Sequence, residues 1–316
     1  MSIESAFVAI SRLASGSEAT YNLDATLFPD GGLRPGELIE ISGESNCGKS
    51  LLCHELVARI ILPTNCGGLE LGAVLIDCES SYNKATLLSI MEKHILNQAE
   101  PTLASTLGDP RQLERIQLAA LERLHLILCY SLEQFEFSLL ALPSLFVKHS
   151  EVTFVLIDSV ATFYWTKCTA KNLIRQDTYQ RAHCKTLSRL ACKWKKVVFL
   201  TRPSYFGSRQ GSWRDFETNG SMTVGLLETG GGSTQSSSIA LSEKPASSSA
   251  TLTGSSLISH RIELCEMDNP SPSRVDTGAS ADVDDQRYNA FITTGDKRQY
   301  VRFYLIDKFG FNWLEA

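Results

Sequence analysis

The sequence predicts an α/β domain: a mostly parallel central sheet flanked by helices, followed by C-terminal β-strands and interrupted by a flexible Ser/Gly-rich insertion. Three observations carry this expectation. Over the first 200 residues, five short β-rich runs, apolar on both faces, alternate with helix-length segments. That is the pattern of parallel strands buried beneath crossover helices. A Gly-rich loop motif lies between the first run and the first helix. Further on, Leu257–Met267 and Tyr300–Leu305 alternate apolar and polar residues, as half-buried strands do.

In order, the strand runs are Glu37–Ser42, Ala73–Asp77, His125–Cys129, Thr153–Asp158 and Val197–Thr201. The first helix, Leu51–Leu62, places Leu52, Leu56 and Ile60 on one face and is ended by Pro63. A second runs over Glu133–Val147, and the longest, Leu173–Lys195, presents Leu187, Leu190, Ala191 and Trp194. Of the thirty residues Thr229–Ile258, ten are Ser, four Gly and four Thr, and Asp268–Arg287 is polar and almost without large apolar residues. Neither can bury enough apolar surface to offset the entropy of ordering it. The expected layout is therefore a short N-terminal segment (1–30), a nucleotide-binding core (31–206), a flexible insertion (207–256), and C-terminal strands of the core (257–316) carrying a disordered loop at 268–292.

Composition narrows the function. Thirty Lys and Arg against 35 Asp and Glu give a net charge of −5 and a pI near 5.7. Bulk positive charge for wrapping nucleic acid is absent, so any DNA contact must be a local patch. The longest strongly apolar run, Phe137–Val147, is about half a membrane span, and the N-terminus carries no basic n-region. No membrane association and no secretory signal are expected. Nine cysteines, odd in number and without a Cys-x-x-Cys pair, read as reduced core or near-core thiols of a cytosolic or nuclear protein.

Gly43-Glu44-Ser45-Asn46-Cys47-Gly48-Lys49-Ser50 matches G-x-x-x-x-G-K-[ST], with a strand before it and a helix after it. Glycines let the backbone turn its N–H groups toward phosphate oxygens, and the helix N-terminus adds partial positive charge. Lys49 is placed to reach the β- and γ-phosphates of ATP, and Ser50 to ligate Mg²⁺. Val155-Leu156-Ile157-Asp158 is a buried strand ending in a carboxylate, a Walker B pattern in which Asp158 helps to hold the Mg²⁺ ion. Glu79 follows the strand Val74–Asp77 at its C-terminal end, where ligands bind in open α/β sheets. A carboxylate there can orient the water that attacks the γ-phosphate.

The runs Gly48–Pro63, Gly67–Glu79 and Val155–Trp165 together resemble the eukaryotic branch of the RecA family of recombinases, within it most nearly the recombinase paralogues. The phosphate loop is common to many NTPases. Ile61-Leu62-Pro63 and Phe163-Tyr164-Trp165 are the discriminating blocks. The similarity covers about residues 22–206, with a weaker echo in the final strands. It implies a RecA-like core in which Lys49, Ser50 and Asp158 bind ATP and Mg²⁺ and Glu79 is the catalytic carboxylate.

Three departures from the family pattern stand out. Thr86 replaces an adenine-stacking arginine. Thr201-Arg202-Pro203 replaces the Thr-Asn-Gln that senses the γ-phosphate, leaving Arg202 as a candidate phosphate contact. Only some forty residues precede the loop, too few for the family's helical N-terminal domain, and Phe7-Val8-Ala9-Ile10 is not its Phe-x-x-Ala filament motif. Self-polymerisation is not expected.

The resemblance implies DNA contacts near Lys167–Arg175 and Tyr205–Arg214. In the second region Arg209, Trp213 and Arg214 combine cations with stackable rings. Arg181, Lys185, Arg189 and Lys193 recur every four residues as one stripe, read as a solvated helix face. The implied role is in homologous-recombination repair of double-strand breaks. The chain would act with other recombinase paralogues in a hetero-oligomer that assists the main recombinase filament on single-stranded or branched DNA, in the nucleus with some in the cytoplasm. Two alternatives remain: a non-catalytic adaptor with a vestigial nucleotide site, favoured by Thr86 and Arg202-Pro203, and an unrelated P-loop kinase.

Overall fold

In the computed structural model of the chain, the described residues are 20–99, 110–168, 173–206, 257–267, 287–307 and 310–314. The expected flexible insertion, most of the 268–292 loop, and Phe7–Ile10 lie outside them.

Nine strands form a single sheet: β1 (Leu38–Gly43), β2 (Gly72–Asp77), β3 (Leu124–Leu128), β4 (Val152–Asp158), β5 (Val197–Pro203), β6 (His260–Glu266), β7 (Arg287–Thr294), β8 (Gln299–Asp307) and β9 (Gly310–Leu314). Their spatial order is β3-β2-β4-β5-β1-β6-β7-β8-β9. The first six are parallel, and β7, β8 and β9 continue the sheet antiparallel. The helices are α1 (Lys49–Ile61), α2 (Lys84–Gln98), α3 (Pro110–Leu121), α4 (Leu132–Lys148), the single turn α5 (Tyr164–Lys167) and α6 (Gln176–Trp194). Asn83 caps α2 by accepting from the N–H groups of Ala85 and Thr86, and Ser131 caps α4 by accepting from Gln134.

Successive strand side chains point to opposite faces, so the all-apolar strands feed two cores. On β4, Phe154 and Leu156 join α1 and α2, while Val155 and Ile157 join α4 and α6. Helix α1 buries Leu52, Leu56 and Ile60, the face expected from their spacing, and each contributes roughly 1.5–3 kcal/mol of burial. Leu187 and Ala191 of α6 are buried as expected, with Leu190 and Trp194 packed at the margin. Leu23, Leu27 and Phe28 also enter the first core.

The five expected parallel strands lie within one or two residues of their observed bounds. One expectation fails: 287–292 is not a disordered loop. It is most of β7, where Tyr288, Ala290 and Ile292 point inward and pair between β6 and β8. The polar residues before Arg287 mask an alternation that begins at Tyr288. All nine cysteines are free thiols and six are buried, although Cys192 is exposed rather than near the core. Among the described residues no helix is long and apolar enough to cross a membrane.

The antiparallel strands form the floor beneath the loop after β1. Tyr304 is fully buried, stacks on Phe311 at 4.1 Å between ring centroids, and donates its hydroxyl to the Cys47 carbonyl at 2.8 Å. Deeper, Glu55 of α1 accepts from His94 of α2 (2.7 Å) and from the Phe311 N–H (3.1 Å). Lys93 donates to the Phe311 carbonyl at 3.1 Å, so α1, α2 and β9 are tied by buried polar bonds. Tyr304→Phe keeps the ring and strands one carbonyl. It should lower stability by about 1–3 kcal/mol in equilibrium urea unfolding, with the sheet intact by circular dichroism.

Candidate functional site

The loop Gly43–Ser50 turns sharply where side chains cannot fit. A Cβ on Gly43 would lie 2.6 Å from the Leu264 carbonyl oxygen on β6. Gly48, in the left-handed region at φ 83°, would drive a Cβ to 2.8 Å from Ile306 on β8. Asn46 also takes positive φ, which asparagine tolerates better than most residues. Gly48 is the N-cap of α1, and no side chain caps the helix; its first turn holds no acidic residue. The N–H groups at the start of α1 are therefore available to an anion, with the helix dipole behind them. Lys49 Nζ donates to the Glu44 carbonyl at 2.6 Å, so its ammonium lies across the loop. Cys47 is buried, and burial raises its thiol above the ordinary range, the state of a packing residue.

Two carboxylates end β4 and β2, strands adjacent to each other in the sheet. Asp158, at the end of β4, is buried and accepts from Ser81 Oγ at 2.8 Å and Thr201 Oγ1 at 2.5 Å. Asp77, at the end of β2, is buried and accepts from the N–H groups of Glu79 (3.0 Å), Ser81 (3.1 Å) and Tyr82 (2.9 Å). It thereby fixes the turn that carries Glu79. Glu79 reaches solvent, and Thr162 Oγ1 donates to its carboxylate at 3.4 Å. Its carboxyl is raised above the usual range, first by partial desolvation and then by the negative charge of Asp158. The loop, Lys49, Ser50, Asp158 and Glu79 all lie at the C-terminal ends of β1, β2 and β4, so the fold brings the predicted site residues to one edge of the sheet.

This donor set fits a nucleotide phosphate with a divalent ion. Uncapped N–H groups and an ammonium suit the phosphates, and a hydroxyl with a buried carboxylate suits Mg²⁺. Residues 8–107 match the Rad51 family model. That stretch, about a third of the chain, is similar to the Rad51 family. It is 26% identical over 192 residues to DNA repair protein XRCC2 of Mus musculus, covering 60% of this chain and 64% of that protein. It is 28% identical over 193 residues to the DNA repair protein RAD51 homolog of Solanum lycopersicum, covering 61% and 49%. Against DNA repair protein rhp57 of Schizosaccharomyces pombe, identity is 33% over 147 residues, covering 45% and 37%. The chain thus spans roughly a third to two thirds of the length of these relatives.

Thr86 falls in the first turn of α2, its N–H bonded to Asn83, and offers no guanidinium for a base to stack on. Arg202 is not a phosphate contact. Its side chain is 3% exposed and turns into the protein, where Nη2 donates to Glu40 Oε1 at 3.1 Å. Nη1 reaches the carbonyls of Pro203 (3.1 Å), Ser204 (3.3 Å) and Phe206 (2.9 Å), and so pins the turn leaving β5. Gln180 of α6 donates to the other Glu40 oxygen at 2.7 Å. An anionic partner already buried on β1 draws Arg202 inward, a pairing 162 residues apart that the sequence does not announce.

Arg181, Lys185, Arg189 and Lys193 are exposed along α6, the solvated stripe expected. Arg209, Trp213 and Arg214 lie outside the described residues. Sequence reasoning missed Ser81 and Thr201 as partners of Asp158, and Asp77 as the residue organising the Glu79 turn. Only Asp77 carried a signal, its place at a strand end. Arg202→Ala should lower stability by up to roughly 3–5 kcal/mol in urea unfolding, because the buried Glu40 charge loses its nearest cation and keeps Arg261 at 3.8 Å and the Gln180 amide.

Proposed function

We propose that the chain is a recombinase paralogue that binds ATP and Mg²⁺ and works in homologous-recombination repair of DNA double-strand breaks. The observation that carries this reading is the uncapped N-terminus of α1 behind Gly48, with Lys49 across it and Asp158 at the strand end two positions over in the sheet. The relatives, which are DNA repair proteins, support the setting. In this reading Gly43, Glu44, Ser45, Asn46, Cys47 and Gly48 wrap the phosphates with main-chain N–H groups, and Lys49 neutralises their charge. Ser50 and Asp158 hold Mg²⁺, which when bound offsets the charge on the transferring phosphoryl group. Glu79 takes the proton of the attacking water, and its raised carboxyl suits a base better than an ordinary carboxylate does. The chain acts in the nucleus within a hetero-oligomer of paralogues that assists the main recombinase filament. Arg209, Trp213 and Arg214 contact single-stranded or branched DNA.

A second reading has its own observation. Arg202 is locked in the core and Thr86 replaces a stacking cation, so the site lacks groups that would report the γ-phosphate or grip the base. On this reading the chain is an adaptor that needs its fold more than its nucleotide.

Turnover of ATP, with and without single-stranded DNA, separates the two. As an ATPase, the chain purified with a recombinase paralogue should lose nucleotide binding on Lys49→Ala. Glu79→Gln should still bind but hydrolyse at least about a hundredfold more slowly. An equally negligible rate in wild type and Glu79→Gln, with partner binding intact after Lys49→Ala, identifies the adaptor. The pH profile adds a sign. Glu79 acts as a base only when ionised, so a raised carboxyl predicts that turnover falls with decreasing pH from a midpoint above the ordinary glutamate value of about 4.3. Glu79→Gln should remove that acidic limb.

A further inference from the structure

At the opposite end of the sheet from the phosphate loop, three metal-ligating side chains converge. His125 is the second residue of β3, His149 caps the C-terminus of α4, and Glu151 immediately precedes β4. Their nearest ligand atoms all lie within 4.8 Å of one another. His149 Nδ1 is 3.1 Å from Glu151 Oε1, His125 Nε2 is 4.0 Å from the same oxygen, and the two imidazole centroids are 4.3 Å apart.

The backbone holds all three in place. His125 is paired in the ladder with Val74, and the His149 N–H is bonded to the Leu145 carbonyl. The Glu151 carbonyl accepts from the Gly72 N–H at 3.0 Å. Gly72 is required there, since a Cβ would come within 2.9 Å of Val152. His125 Nε2 is shielded from solvent and has no hydrogen-bond partner, although it faces a carboxylate. A buried imidazole nitrogen without a partner calls for an explanation, and an ion supplies one.

We propose that His125, His149 and Glu151 bind one Zn²⁺ ion, with water completing the coordination. Two imidazoles and a carboxylate are zinc ligands, and tetrahedral ligands at 2.0–2.1 Å from the metal lie about 3.3 Å apart. The His149–Glu151 pair already has nearly that separation. The His125 ring needs to close on Glu151 by about 0.7 Å and on His149 by up to about 1.5 Å, a movement its side-chain rotation can supply. Two cations stand nearby. Lys148 adjoins His149 in sequence and acts on His125. The Lys196 ammonium is near Glu151 but is bonded to the Val152 carbonyl. They weaken the site without occupying its ligand atoms. Bound zinc would clamp the edge strand β3 to the end of α4 and the start of β4.

The test is Co²⁺ titration of the EDTA-stripped full-length chain followed by visible absorption. Wild type should bind one equivalent with the d–d bands of a four-coordinate nitrogen and oxygen site. No thiolate charge-transfer band should appear, and Zn²⁺ should displace the cobalt. Glu151→Gln and His125→Gln should each weaken binding by at least about a hundredfold, beyond the 10–100-fold typical of outer-shell partners. Cys192→Ala should leave it unchanged. Zn²⁺ should raise the melting temperature of wild type but not of Glu151→Gln, which melts like wild type in EDTA. If His125→Gln fails to fold, His149→Gln replaces it. The absence of a saturable spectrum, a charge-transfer band removed by Cys192→Ala, or binding indifferent to Glu151→Gln would overturn the proposal.

Discussion

The close approach of β6 and β8 to the loop after β1 is the constraint on which the candidate site depends. At Gly43 the Leu264 carbonyl leaves no room for a side chain, and at Gly48 the positive φ, with Ile306 close by, disfavours one. A loop so confined has its turn chosen by its neighbours, and the Tyr304 hydroxyl fixes the Cys47 carbonyl against the aromatic floor. The turn in turn sets where α1 begins, and with it the direction of the free N–H groups and the position of Lys49. The α1 face of Leu52, Leu56 and Ile60 then anchors that geometry in the larger core.

A second constraint is polar and lies across the sheet. Glu40 sits on β1 among apolar strands, a costly place for a carboxylate unless it is matched. Arg202 and Gln180 match it, which joins β1, β5 and α6 through one residue. The same arrangement removes Arg202 from the nucleotide side. Arg202 instead holds the turn beyond β5 through the carbonyls of Pro203, Ser204 and Phe206.

Much of this was legible from the chain alone. Parallel strands buried on both faces leave uninterrupted apolar runs, so β1 to β5 were visible, and the phosphate loop has a local spacing that only a strand–turn–helix can use. Asp158 stood out as the end of such a run, and Glu79 as the carboxylate two residues past the end of another. What stayed hidden depends on long-range pairing. Ser81 and Asp158 are 77 residues apart, Glu55 and Phe311 are 256 apart, and no local pattern links them. Strand β7 was missed for a different reason: a polar run leads into Arg287, and composition averaged over that stretch hides Tyr288, Ala290 and Ile292.

The aromatic floor also bears on how the protein is made. Cys47 and Tyr304 are separated by 257 residues. At roughly 5–20 residues per second, a ribosome needs on the order of ten to fifty seconds to travel between them. Throughout that interval the nascent loop has its glycines but not the strands that dictate its shape. The pocket is thus a late product of synthesis, assembled by contacts of high sequence separation that fold slowly.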